Sequence, residues 1–175
     1  MSRTALKERT AEAILDAAMD LLIAEPHAGM VQIAEDAGVG RATLYRHFPT
    51  REALVDALQQ RTRAAFGGLL DELLIDHDLE RFVADLLALR EGWACIAPRE
   101  TPDQHRVREM WAPFERYVAH EQAAGTIDTG LPPSWVLAAL RGQLRAAVLE
   151  LDAGRLRRAD APALVVRVFL RGVSV

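Results

Sequence analysis

Between Arg41 and Arg51 the chain places three arginines (Arg41, Arg46 and Arg51) and one histidine (His47) with no acidic side chain, in a protein of 175 residues whose net charge is -4. A solvated helix face of an acidic protein ordinarily mixes signs, so an unmixed basic run is chemistry aimed at an anion. The spacing narrows the kind of anion. Leu44 and Phe48 stand four apart and make one apolar helical face, which leaves Arg41, Thr43, Tyr45, Arg46 and His47 mainly on the others. Arg41, at the start of this helix, is long enough to fork onto O6 and N7 of a guanine, and Thr43 suits a thymine methyl or a phosphate. Tyr45, His47 and Arg51 suit phosphate and would fix register.

The elements that must position these groups are legible on either side. Ile33, Ala34 and Ala37 recur at helical spacing and end at Gly38, which can take the left-handed conformation that stops a helix. Val39 fits as the buried residue of the turn. Two short helices around a tight turn, the second loaded with basic groups, form a helix-turn-helix with a recognition helix from Arg41 to Phe48. A first helix is expected from about Thr4 to Glu25, with Ile14, Ala18, Leu21 and Leu22 as its apolar stripe and Pro26 to Gly29 as its break. Arg3, Lys7 and Arg9 at its start suit either backbone phosphate or solvent. Pro49-Thr50 supplies a stop and a new N-cap before a fourth helix that begins at Arg51.

Ile33-Ala34, Ala37-Gly38-Val39, Thr43-Leu44-Tyr45-Arg46-His47-Phe48 and Arg51-Glu52-Ala53-Leu54 together resemble the DNA-binding domain of the TetR family of transcriptional regulators. The resemblance runs from roughly Lys7 to Leu58, a third of the chain. It implies an all-helical homodimer that binds a short inverted repeat in double-stranded DNA and is released by a small molecule held in the carboxy-terminal domain. It also implies that Ala42, Thr43, Tyr45, Arg46 and His47 occupy positions that touch DNA. Two positions depart from the family's habit: Gly29 and Gly40 stand where Thr or Ser is common, so backbone N–H groups must serve there in place of hydroxyls.

Composition fits this division into an amino-terminal helix-turn-helix domain, residues 1–55, and a carboxy-terminal effector-binding and dimerisation domain, residues 56–175. Half of the residues are hydrophobic and only 6% aromatic, with Ala and Leu dominant, which suits helices. The expected fold is all-α, three helices carrying the DNA-binding motif and then a helical bundle, about nine helices in all. Residues 67–175 hold 13 basic and 16 acidic side chains, so most of the acidity lies away from the basic helix. The fourth helix extends through Leu73 and Leu74 and contains Gly67-Gly68, a candidate bend. Asp78 caps a helix to about Ile96, Thr101-Pro102 opens the next, Pro113 splits or kinks it, and Gly125 ends it. Two last helices are expected at roughly 134–153 and 161–172, with Asp160 as a cap.

Trp93, Met110, Trp111, Phe114 and Tyr117, with Cys95, Ile96 and Val118, cluster around the Pro98 loop and the Pro113 break. They are the candidates for lining an apolar or aromatic effector site, against the ordinary reading of such residues as core. The last helices are more apolar than one core face requires, and Leu140, Leu144, Val148, Val165, Val168 and Phe169 are the candidates for a dimer interface. A lone Cys95 makes no internal disulfide, and the five histidines show no HxxxH or HxH spacing, so neither a metal nor a cofactor is expected. No apolar run reaches the length of a membrane span and no secretory segment is visible, so a cytoplasmic location is expected. A catalytic reading lacks paired carboxylates, a phosphate loop or a nucleophile beside a base. An effector-blind regulator or architectural DNA-binding protein is the stronger alternative.

Overall fold

The computed structural model describes the backbone of residues 3–96 and 104–174, with side chains placed for residues 5–89 and 108–174. Among these residues the protein is all-helical: α1 (Arg3–Ala24), α2 (Met30–Asp36), α3 (Arg41–His47), α4 (Arg51–Asp76), α5 (Leu79–Ile96), α6 (Gln104–Ala123), α7 (Pro133–Asp152) and α8 (Ala161–Val173), with a 3-10 turn at Arg158–Asp160. The expected Thr101-Pro102 cap lies outside the described residues. Eight α-helices lie among the described residues, close to the nine or so expected, and Pro113 sits inside α6, the single-helix alternative of the two that the sequence left open. Proline removes one N–H and crowds the carbonyl four residues back. Burial of Trp111, Phe114, Tyr117 and Val118 on the same helix offsets that penalty.

The chain folds as two compact units: Met1–Ala65 with Leu89–Arg99, and Phe66–Ala88 with Glu100–Val175. In the first, Ile14, Ala18 and Leu22 of α1 pack with Ile33, Ala34, Leu44, Phe48, Leu54 and Leu58 in one buried cluster. The α2–α3 turn is fixed by its backbone. Gly38 has φ +64, its N–H donates to the Glu35 carbonyl at 3.1 Å, and the Val39 N–H donates to the Ala34 carbonyl at 2.9 Å. This paired closure requires a left-handed residue, which glycine supplies without a Cβ clash. On the other side, Arg61 of α4 pairs with Asp16 at 2.7 Å and donates to the Leu15 carbonyl at 3.1 Å, fastening α4 along α1.

In the second unit, Phe66, Phe82, Trp111, Phe114 and Tyr117 form a connected ring cluster with centroid separations from 4.8 to 6.1 Å. Such ring pairs add roughly 0.5–1.5 kcal/mol each beyond the area they bury. The α6–α7 loop is tied down by Gln122, whose Nε2 donates to the carbonyls of Asp128 and Leu131 at 2.9 and 2.8 Å. The Asp128 N–H reaches the Val173 carbonyl at 2.8 Å, so the end of α8 closes on the same loop. Asp160 was expected to cap α8, but its carboxylate accepts from Arg157 at 2.6 Å and makes no cap bond. Gly67 and Gly68 lie in an unbroken α4, and a Cβ at either would meet nothing within 4 Å, so close packing does not account for them.

The junction between α4 and α5 is one short step of chain. His77 has φ +58, a conformation that costs a non-glycine residue roughly 1–2 kcal/mol. Asp78 then caps α5 as expected, its Oδ1 accepting the Arg81 N–H at 2.9 Å.

Candidate nucleic-acid interface

Helix α3 is held from below by two side chains. Leu44 is fully buried and Phe48 nearly so, which fixes the rotation of α3 and turns Arg41, Ala42, Tyr45 and Arg46 to solvent. Thr43 and His47 are half-buried at the edges of that face. Gly40 is the N-cap of α3 and its carbonyl accepts the N–H groups of Thr43 and Leu44 at 2.8 and 3.0 Å. No side-chain cap competes there, as the glycine demands. At the start of α2 the Gly29 N–H donates to Gln32 Oε1 at 2.8 Å, so the glutamine supplies one half of the cap that Thr or Ser would otherwise help complete.

Arg41 stands 3.9 Å from Glu35, with both side chains about two-thirds exposed. An exposed pair at that distance is worth little, so the guanidinium is available to a stronger anion. His47 is held below the ordinary histidine range, chiefly by burial and further by the positive charges of Arg46 and Lys7. Lys7 of α1 therefore belongs to the same positive field as α3. Tyr45 keeps close to half of its surface exposed, in agreement with a hydroxyl presented outward.

Arg51 has partners that its sequence does not reveal. It is half-buried at the first residue of α4, and its guanidinium donates to the carbonyls of Ala28 and, at 3.2 Å, Pro26. Two of its N–H groups are thus engaged in holding the α1–α2 loop, where an arginine satisfies carbonyls that have no helical partner. A phosphate-anchoring role was expected; in the free chain these two carbonyls engage the guanidinium, so Arg51 also ties α4 to the α1–α2 loop.

The candidate effector and dimer residues fall as follows. Trp111, Phe114 and Tyr117 are buried in the ring cluster, Met110 is exposed, and the side chain of Trp93 lies outside the described residues. Burial and the nearby Glu121 charge push the Tyr117 hydroxyl far above the ordinary tyrosine range, so it stays protonated. Leu140, Val148, Val165 and Phe169 are buried inside the single chain and Leu144 is half-buried. Of the six candidates only Val168 is exposed, while Trp135 and Leu149, which were not singled out, are 64% and 57% exposed. The signal that would have found them is their spacing: Trp135, Gly142 and Leu149 are seven apart and share one face of α7, which Ala138 and Ala146 continue.

A buried three-helix core that fixes a basic second helix on a glycine turn defines a helix-turn-helix protein. Residues 14–58 match the family model described as bacterial regulatory proteins, tetR family. The chain is 52% identical over 52 residues to the HTH-type transcriptional repressor LfrR of Mycolicibacterium smegmatis, a match covering 30% of this chain and 28% of that protein. It is 27% identical over 180 residues to the uncharacterized HTH-type transcriptional regulator YxbF of Bacillus subtilis, covering 95% of this chain and 45% of that one. The matches thus span less than half of these curated relatives. The crystal structure of LfrR in complex with proflavine superposes with a TM-score of 0.68 at 26% identity, over 97% of this chain and 99% of that one. Over residues 14–58 the chain is thus similar to the tetR family of bacterial regulatory proteins, and its helical fold is similar to that of LfrR.

Proposed function

We propose that the protein is a sequence-specific DNA-binding transcriptional regulator, acting as a repressor, that binds a near-palindromic operator as a homodimer and is released by a small apolar or aromatic ligand. The observation that carries the reading is the rotation of α3: Leu44 and Phe48 inward, Arg41, Ala42, Tyr45 and Arg46 outward, Thr43 and His47 at the rim. Arg41 reads a base edge, and Lys7, Tyr45, Arg46 and His47 position the helix on phosphate. Repression is supported by the similarity to LfrR, whose described activity is that of a transcriptional repressor.

Dimerisation rests on the exposed stripe of α7 with Val168 of α8. Trp135 and Leu149 are large apolar groups left in water by the single chain, and Ala138, Gly142 and Ala146 between them let a second helix approach closely. A C2 pair would read a near-palindromic operator, whose successive half-sites on one face of DNA lie about 34–36 Å apart.

Release by a ligand draws on LfrR binding proflavine, a planar aromatic compound. A ligand acts only through a difference in its affinity for DNA-competent and DNA-incompetent states, and α4, which contributes residues to both compact units, is the element to carry that difference. The domain division proposed is accordingly 1–55 and 56–175, with α4 continuing across it. A regulator without an effector is the second reading, favoured by the way Trp111, Phe114 and Tyr117 fill the second unit with one another. Thermal unfolding with and without proflavine at high excess separates the two. A raised midpoint together with weakened DNA binding supports release by ligand. Operator binding itself is tested by the salt dependence of affinity for a bound duplex, whose log–log slope should report several phosphate contacts.

A further inference from the structure

The junction between α4 and α5 brings His77 against His120 and Glu121, two adjacent residues of α6, the glutamate 44 positions further along the chain. His77 Nδ1 lies 2.8 Å from Glu121 Oε1, and the His77 and His120 rings are 4.5 Å apart between centroids. One ligand atom from each of His77, His120 and Glu121 lies within 4.8 Å of the others. From these distances we propose that His77, His120 and Glu121 form a binding site for a borderline divalent transition-metal ion of the Zn2+ kind.

Donor chemistry and geometry agree on the ion. Two imidazoles and one carboxylate are a ligand set for Zn2+ and its neighbours, not for Ca2+ or Mg2+, which take oxygen shells. With metal–ligand bonds of about 2.0–2.1 Å, tetrahedral ligands stand roughly 3.3 Å apart. The closest pair here must therefore open by a few tenths of an ångström and the furthest must close. His120 is exposed on α6 and free to turn inward, while the Glu121 side chain is 13% and the His77 side chain 34% exposed. Three protein ligands leave a fourth position for water.

A second observation concerns the backbone. His77 is the one non-glycine residue with positive φ among those described, and strained residues of this kind persist where the surroundings over-determine them. A bound ion would pin α6 to the end of α4 within the second compact unit, independently of whether the DNA reading holds.

The test uses the full-length protein without a histidine tag, stripped with a chelator and titrated with Zn2+ alone by calorimetry, then with Co2+ to read the visible spectrum. One equivalent per chain and the intense bands of four-coordinate Co2+ are expected. His120→Ala, at an exposed position of α6, and Glu121→Gln, a near-isosteric change at a largely buried one, should each weaken binding about tenfold or more. His77→Asn, which tolerates left-handed backbone, should do the same. His27→Ala and Cys95→Ser should leave affinity unchanged. Absence of uptake, or uptake that survives the His120→Ala/Glu121→Gln double variant, overturns the proposal.

Discussion

Arg51, the first residue of α4, donates to the backbone carbonyl of Pro26 at 3.2 Å and to that of Ala28, across more than twenty positions of sequence. The arginine therefore sets the entry of the chain into α2, and through α2 the pose of the recognition helix. Its substitution is first an event of stability. Charge-assisted hydrogen bonds to carbonyls are worth about 1.5–3 kcal/mol, so Arg51→Ala should lower unfolding free energy by that order in a denaturant titration. Arg51→Lys should recover little, since an ammonium cannot span two carbonyls in a fixed fork. Folded Arg51→Ala protein should keep its salt slope for DNA; full stability with a slope reduced by one would return Arg51 to the phosphate contacts.

Arg41 should behave in the opposite way. Among the described residues its partner is an exposed Glu35 at 3.9 Å, so Arg41→Ala should leave the unfolding midpoint unchanged within error. On the preferred operator it should cost about 1–3 kcal/mol while flattening preference at one base pair of each half-site. Fluorescence anisotropy against a panel of single-base operator variants reads both numbers. Equal loss on every sequence would place Arg41 on phosphate.

His47 predicts a pH dependence. In the free protein burial, Arg46 and Lys7 hold its imidazole below the ordinary range near 6.5, so it is neutral at pH 7. A phosphate beside it favours the charged form and raises that value in the complex, so binding takes up a proton. Operator affinity should then rise as pH falls through the bound-state value toward the lower free-state value. His47→Gln should remove this increment, and an identical pH profile in the variant would take His47 off the DNA face.

The stripe on α7 predicts an oligomeric state. Leu149 is 57% exposed in the single chain, so Leu149→Glu costs the monomer little and places a charge in the proposed interface. Sedimentation should show dimers for the parent and monomers for the variant, with operator affinity falling sharply because each half-site alone supplies half the contacts. A variant that stays dimeric would move the interface elsewhere. Leu140→Ala, by contrast, empties a fully buried site and should cost about 2–5 kcal/mol of stability.

What the sequence made legible was local. Ile33, Ala34, Gly38, Leu44 and Phe48 act within a few residues of one another, so periodicity and one left-handed turn specify the motif and the outward set of α3. Arg51 escaped because its partners are carbonyls, which carry no side-chain signature. The two faces of α7 were both apolar in sequence. Only packing against the rest of the unit separates buried Leu140 and Val148 from exposed Trp135 and Leu149. His77 meets His120 and Glu121 through a helix junction and not through spacing along one helix, so a search for metal-ligand spacing passed over them. Pro113 left a split or a kinked helix open because its local penalty was visible and the burial that offsets it was not.

The central claim is that α3 reads a DNA sequence in two copies at once. Selection of bound duplexes from a random pool with the purified full-length protein, at two salt concentrations, tests it most directly. An inverted repeat whose half-sites are centred one helical turn apart or a small multiple of it is expected, with weaker retention at the higher salt. A pool that returns without enrichment, or one enriched in a single unrepeated site, would contradict it.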